Sequence, residues 1–424
     1  MKKPFLYHKK GIITSTLVIL FSALLLISCN NPLNINSGNT NSGPASLSNN
    51  AAGLSQQHVQ LSMDNPAIKA LVPVQKKFTS ELLKTNGVVG TAIGLDQSGQ
   101  PAILVLTQTD IVAQAKAKGQ PSPIPAELDN VPTRMYVVGK ITTLQPLKGN
   151  SNHGGGKPGG GGGGTTVSHT AIQSPPIQLG TSGGWRYDNA NGYCCSGTLG
   201  SLITDGSNIY ILSNYHVFYG DIAPGGNNRV ASAGDPVIQP GLVDVNCDPT
   251  QAQNVATLVS GGGSLWNTAT GTQTNANVDA GIARIDPNMV NTSGSILEIG
   301  TISSSTVAAS LNQAVKKSGR TTGLTTATVS GLNATISVSY EDECAGSTAF
   351  TITYTGQILV NNKGSKFLDS GDSGSLMVEN VTTNPRAVGL LFAGSKRVAV
   401  ANPINDVLNY YSNKLGGTFH MVGN

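Results

Sequence analysis

The chain has 424 residues, enough for about two or three domains, and only 11% of them are charged while Gly occurs 52 times. That mix is too poor in charge for long amphipathic helices and suits short strands joined by Gly, Asn, Ser and Thr turns. The formal charge of +4 comes entirely from Lys2, Lys3, Lys9 and Lys10, so the rest of the chain is balanced and nothing steers it to nucleic acid.

Those lysines precede an apolar stretch, Ile12 to Ile27, broken only by Ser and Thr. This is the layout of a secretory signal, although the apolar run alone would also fit an uncleaved membrane helix. It ends in Leu26-Ile27-Ser28-Cys29, a pattern that closely resembles a lipobox. The resemblance implies a signal peptide over 1–28, lipidation of the Cys29 thiol and a bacterial origin. Stable anchoring takes more than one acyl chain. Asn30 follows the cysteine, which in a Gram-negative cell favours the outer membrane. The expected location is the bacterial cell envelope, with the membrane held through the lipid on Cys29.

Residues 29–59 are rich in Asn, Ser and Gly and read as a flexible tether. From Pro66 to Lys84, apolar residues Ile68, Leu71, Val72, Phe78, Leu82 and Leu83 recur at helical spacing. Strand-like runs follow at Val88–Leu95 and Ala102–Thr107, separated by the turn Asp96-Gln97-Ser98-Gly99. After a Pro-rich stretch comes another at Met135–Ile141. Residues 60–148 therefore read as a small α/β domain. It has no histidine and no cluster of acids, and could serve as a prodomain, an inhibitory cap or a binding module. Residues 149–176 are a linker, almost pure glycine from Gly154 to Gly164, where no packed core can form.

Residues 177–424 change character. Short apolar runs alternate with turns at Leu199–Ile203, Ile209–Leu212, Asn254–Val259, Val278–Ile285, Ala314–Lys317, Ala327–Val338, Phe350–Tyr354, Ser375–Val378, Ala387–Phe392 and Arg397–Val400. This is the spacing of an all-β barrel or sandwich, closed by one terminal helix at Pro403–Leu415. Besides Cys29 the chain carries Cys194, Cys195, Cys247 and Cys344, which an exported protein can oxidise. Neighbouring Cys194 and Cys195 are badly placed to bridge to each other. Two bridges from that pair to Cys247 and Cys344 would satisfy every thiol, in a pairing the sequence leaves open. A zinc site is the weaker alternative, since no CxxC or His pair accompanies them.

Of six histidines, only His216 lies inside the β region, at the end of the apolar run Tyr210-Ile211-Leu212-Ser213-Asn214-Tyr215-His216-Val217. A lone histidine at a strand end is more often structural than catalytic. Ser373 changes the balance, in Asp369-Ser370-Gly371-Asp372-Ser373-Gly374-Ser375-Leu376. A serine hydroxyl needs a base to take its proton, and backbone N–H groups to meet the developing oxyanion. The flanking glycines allow a tight turn in which the N–H groups of Gly371 and Ser373 can converge. Asp279 stands in the apolar run Asn277-Val278-Asp279-Ala280-Gly281-Ile282-Ala283, where pairing with a histidine ring would offset the cost of burial. The order His216, Asp279, Ser373 is the chymotrypsin-type order, distinct from those of subtilisins and α/β-hydrolases.

On Ser-Asn-Tyr-His-Val, Val-Asp-Ala-Gly-Ile-Ala and Gly-Asp-Ser-Gly, residues 177–415 resemble the trypsin-like serine proteases. Gly319-Arg320-Thr321-Thr322-Gly323 looks like the opening of the second barrel in bacterial members. Val388-Gly389-Leu390-Leu391-Phe392-Ala393-Gly394 looks like the strand lining the specificity pocket. The N-terminal segment together with Cys-Ser-Gly-Thr-Leu-Gly-Ser-Leu is similar to a bacterial subgroup related to the plant narrow-leaf protease.

The resemblance implies a mainly β fold, a double β-barrel with the site between the barrels, preceded by the small α/β domain and the glycine-rich linker. It also implies a serine endopeptidase acting on protein or peptide substrates, with no metal or cofactor. By offset from Ser373, Phe367 falls near the base of the pocket and Phe392 near its side, with Gly394 close by. No Asp stands at the base, so an apolar or small side chain is expected at the cleavage position. Ser375 replaces the second glycine of the common Gly-Asp-Ser-Gly-Gly. Many relatives mature by exposing a new N-terminus that pairs with the residue matching Asp372, yet no activation site is evident.

Overall fold

Strand Thr325–Tyr340 shows how the sequence builds this molecule. Its last residues, Thr335-Ile336-Ser337-Val338-Ser339-Tyr340, alternate polar and apolar, and burial alternates with them. The computed structural model describes residues 61–143, 147–149, 168–190, 193–219, 229–260, 266–267, 272–273, 276–340, 350–362 and 366–424. The signal peptide, Cys29, the tether, the glycine run and Cys344 lie outside the described residues. Among the described residues, no helix is long and apolar enough to cross a membrane.

The N-terminal segment holds helices α1 (Pro66–Lys69) and α2 (Leu71–Leu82), strands β1 (Val88–Leu95) and β2 (Pro101–Thr107), helix α3 (Ile111–Ala117) and strand β3 (Val131–Val137). Asn65 caps α1 by accepting the Ala67 N–H at 2.9 Å, with Pro66 in the first turn. Helix α3 falls in the stretch that reads as Pro-rich loop. Asp110 starts it by accepting the Ala113 N–H at 2.8 Å. Short strands β4 (Thr142–Thr143) and β5 (Leu147–Gly149) follow.

The first barrel comprises β6 (Thr181–Trp185), β8 (Gly197–Leu199), β9 (Ser201–Thr204), β10 (Ile209–Ser213), β11 (Pro236–Gln239), β12 (Gln253–Leu258) and β13 (Gly281–Ile285), while β7 (Tyr193–Cys195) pairs with β5 in a small separate sheet. Its sheet runs β8-β6-β11-β12-β13-β10-β9. Only Gly200 separates β8 from β9, so both ends of that path belong to one bent strand and the sheet closes on itself. A Cβ at Gly200 would sit 1.9 Å from the Gly374 carbonyl oxygen, so only glycine allows this bend against the second barrel. Strands β6 and β11 are missing from the sequence reading, because Gly183-Gly184 and Pro236 look like turn residues. A disulfide joins Cys194 on β7 to Cys247, with Cα atoms 5.6 Å apart, and Cys195 is disulfide-bonded as well.

The second barrel comprises β14 (Ala314–Lys317), β15 (Thr325–Tyr340), β16 (Phe350–Asn361), β17 (Leu376–Glu379), β18 (Ala387–Gly394) and β19 (Val398–Pro403). The path β14-β17-β18-β19-β16-β15 closes because β15 also pairs with β14. The mainly β, double-barrel architecture expected from the sequence is present. Strand β1 pairs with β15, so the N-terminal segment extends the sheet of the second barrel. Helix α5 (Ile404–Leu415) packs Ile404, Val407, Leu408 and Tyr411 against Ile203 and Leu212 of one barrel and Leu376 and Leu390 of the other.

Candidate active site

Strand β10 ends at Ser213, and the chain turns at once into the single helical turn α4 (Tyr215–Phe218), which carries His216. Ser213 lies opposite Gly281 at the start of β13, so the barrel register alone brings His216 beside Asp279. The His216 ring Nδ1 is 2.6 Å from Asp279 Oδ2, and the His216 backbone N–H donates to Oδ1 at 3.2 Å. Both side chains are buried. A buried carboxylate is costly unless its oxygens are bonded, and here further donors attend to it. The Tyr340 hydroxyl donates to Oδ2 at 2.8 Å and is itself hydrogen-bonded to the Tyr354 hydroxyl. The Asp279 N–H donates to Asn402 Oδ1 at 3.1 Å, and its carbonyl accepts from Asn214 at 2.8 Å. Burial first, then the Asp279 charge and the Tyr354 hydroxyl, hold Tyr340 well above the ordinary phenol value. It therefore stays a proton donor to Asp279 across the working range of pH.

The Ser373 loop is built differently. Gly371 has φ of 102°, and a Cβ there would lie 2.4 Å from Thr321 Oγ1. Thr198 on β8 clamps the loop from the other barrel. Its N–H donates to the Ser373 carbonyl at 2.8 Å and its hydroxyl to the Gly371 carbonyl at 2.8 Å. The Ser373 hydroxyl donates to the Phe392 carbonyl at 3.3 Å. Among the described residues, neither the Gly371 nor the Ser373 N–H has a protein acceptor, which leaves both available to an oxyanion.

Asp372 is fully buried, and its partners are internal. It accepts the Thr321 N–H at 2.9 Å, the Thr322 N–H at 3.1 Å, the Thr322 hydroxyl at 2.7 Å and the Asp369 N–H at 3.0 Å. Lys317 Nζ lies 3.3 Å from Oδ2, with both side chains sealed from solvent. Burial pulls the Lys317 ammonium below its usual value, and the Asp372 charge opposes that. A lysine of the chain itself thus pairs with the carboxylate that a new N-terminus would need. Arg320, next along, is instead bonded to Asp244 of the first-barrel side through Nε at 2.7 Å.

The residues expected in a specificity pocket divide. Phe367 is buried among Ile68, Leu71 and Met377. Its neighbour Leu368 comes close to Gly394, where a Cβ would be 3.2 Å from Leu368 Cδ2. The Phe392 ring packs on Tyr354 at 4.8 Å between centroids. Ser375 is buried, and a Cβ on Gly319 would meet its Oγ at 2.2 Å.

Thr198, Lys317, Tyr340, Tyr354 and Asn402 escape the sequence reading. Thr198 lies in the Cys-Ser-Gly-Thr-Leu-Gly-Ser-Leu run, where nothing marks its role, the others sit in no motif, and the contacts that matter cross large sequence separations. The one available signal is a lysine closing the apolar strand Ala314–Lys317, which the structure buries completely.

A family model for the Nal1 C-terminal domain matches residues 269–402. No curated protein matches the chain. Among solved structures the chain is similar to a glutamic acid-specific serine protease, at 16% identity and a TM-score of 0.35, over 58% of this chain and 100% of that one. It is also similar to Thermobifida fusca protease A, at 18% identity and a TM-score of 0.35, over 58% of this chain and 99% of that one. Cellulomonas bogoriensis chymotrypsin aligns at 16% identity and a TM-score of 0.32, over 58% of this chain and 99% of that one. At such scores the fold rests on the strand pairing itself.

Proposed function

We propose that this chain is an exported, lipid-anchored serine endopeptidase on a trypsin-like double barrel. Ser373 is the nucleophile, His216 the general base and Asp279 the acid that orients it. The observation that carries this reading is the buried contact between His216 Nδ1 and Asp279 Oδ2 at 2.6 Å. With Nδ1 engaged, Nε2 is the nitrogen left to take the hydroxyl proton. Ser373 attacks the substrate carbonyl as His216 removes its proton. The Gly371 and Ser373 N–H groups receive the oxyanion, His216 protonates the leaving amine, and water repeats the attack on the acyl-enzyme. Asp279, held by Tyr340, keeps the ring in one tautomer and stabilises its protonated form. The substrate is a protein or peptide, and the pocket beside Phe367, Phe392 and Gly394 takes an apolar or small side chain.

Cleavage of the 1–28 signal peptide and lipidation of Cys29 place the chain on the bacterial envelope membrane. The 29–59 tether and the 149–176 linker flank the 60–148 α/β segment, ahead of the protease portion at 177–424. A second reading is a zymogen-locked or non-catalytic binding lipoprotein. It is favoured by the depth of the site, since Ser373 is 0% and His216 2% exposed.

The test is labelling with a fluorophosphonate probe of the wild type and of Ser373→Ala. Labelling of the first alone, with casein hydrolysis lost in the variant, supports the endopeptidase. Hydrolysis retained by Ser373→Ala would sink it.

A further inference from the structure

The sheet edges on either side of Ser373 are already paired with the chain's own backbone. Strand β4 lies antiparallel on the end of β18, with Thr143 opposite Ala393 and Thr142 opposite Gly394. The residue just before Ala393 is Phe392, whose carbonyl accepts the Ser373 hydroxyl. On its other side β4 meets β15. Thr142 lies opposite Ser339, and the Ser339 N–H donates to the Ile141 carbonyl at 2.9 Å. Ser339 precedes Tyr340, the residue bonded to Asp279.

A few residues further on, β5 lies antiparallel on β7. Leu147 stands opposite Cys195, Lys148 opposite Cys194 and Gly149 opposite Tyr193. Strand β7 leads to Gly197, where a Cβ would be 2.9 Å from the Ser373 carbonyl oxygen. One stretch of chain therefore arrives along the edge that adjoins Ser373 on one side, and departs along the edge that adjoins it on the other. An extended peptide is held at a sheet edge by this kind of backbone ladder, and a bond presented to Ser373 must lie between the two edges.

We propose that strands Thr142–Thr143 and Leu147–Gly149 occupy the two ends of the substrate cleft in cis, so that the chain is self-occluded. A peptide substrate binds only once these strands leave the β18 and β7 edges. The inference rests on the endopeptidase reading of the site. Its occupant is a named segment of this chain, delivered by the pairing of β1 with β15, which makes the segment's effective concentration at the cleft high.

The experiment uses the full chain, comparing wild type with Thr142→Pro/Lys148→Pro, which removes one backbone donor at each edge. Casein hydrolysis and fluorophosphonate labelling of Ser373 are both expected to rise at least tenfold. Equal rates in both proteins, with Ser373 labelled in each, would overturn the occlusion and leave the endopeptidase standing. A variant that is folded by circular dichroism yet unlabelled would overturn the endopeptidase, and the occlusion with it.

Hydrogen exchange on the wild type covers the case of a misfolded variant. When a peptide boronate is bound to Ser373, the amides of Thr142, Thr143 and Leu147–Gly149 should exchange at least tenfold faster. Protection unchanged in the adduct would overturn the proposal.

Discussion

The two halves of the site are held by different physics. In the first barrel, His216 and Asp279 sit in a network of buried side chains, with Tyr340, Asn402 and Asn214 supplying donors and acceptors. In the second, Ser373 rides on a loop held by the Thr198 N–H and hydroxyl, which donate to its carbonyls, and by the sealed Lys317–Asp372 pair. A side-chain network tunes proton transfer. A pinned loop sets position, and takes its share of the fold's stability with it. Substitutions in the two halves should therefore separate in what they damage.

The largest effect belongs to the loop. Lys317→Met leaves Asp372 buried without its cation, which costs about 3–5 kcal/mol by analogy with broken buried pairs. Urea unfolding measures it, and a loss below about 1 kcal/mol would show that the pair does not hold the loop. Tyr340→Phe comes next and strikes the other half. The ring and its stacking on Phe350 remain, while Asp279 loses a donor. A hydrogen bond to a charged group contributes about 1.5–3 kcal/mol, so kcat should fall about 10- to 150-fold with KM little changed. Should Tyr340→Phe instead act mainly on stability, as Lys317→Met does, the contrast between the halves fails.

The smallest effect is a control at the β9–β10 turn, distant from both networks. Burial alone would raise Asp205, but hydrogen bonds from Asn208, Tyr210 and Ser207 outweigh it and hold the carboxyl well below its usual range. A depressed carboxylate stabilises the fold fully above the unfolded value of about 3.9, and this is lost as pH falls below it. Asp205→Asn should lower Tm modestly at pH 7, with the gap to wild type closing on acidification. A gap independent of pH would assign the effect to packing.

Legibility followed the range of the interactions. Val88–Leu95 and Ala314–Lys317 were readable to the residue, because alternation and apolar runs are local signals. The helix read over Pro66–Lys84 is divided into α1 and α2 at Ala70. Strand β6 was hidden by its paired glycines and α3 by the prolines around it. In the site, His216, Asp279 and Ser373 stood out because each lies in a short motif of its own. Thr198, Lys317 and Tyr340 did not, since nothing near them in sequence marks the partners they meet across the barrels.

The sequence by itself determined the class of fold, the pairing of a histidine with an acid ahead of a Gly-Asp-Ser-Gly turn, and the order in which they occur. Those follow from local periodicity and from the chemistry that a serine nucleophile requires. Only the tertiary structure decided that a buried lysine partners Asp372, that Tyr340 holds Asp279, and that Thr142–Thr143 and Leu147–Gly149 lie along the edges flanking Ser373. Each of these depends on barrel closure and strand register, which bring together residues whose separation along the chain carries no information about their contact.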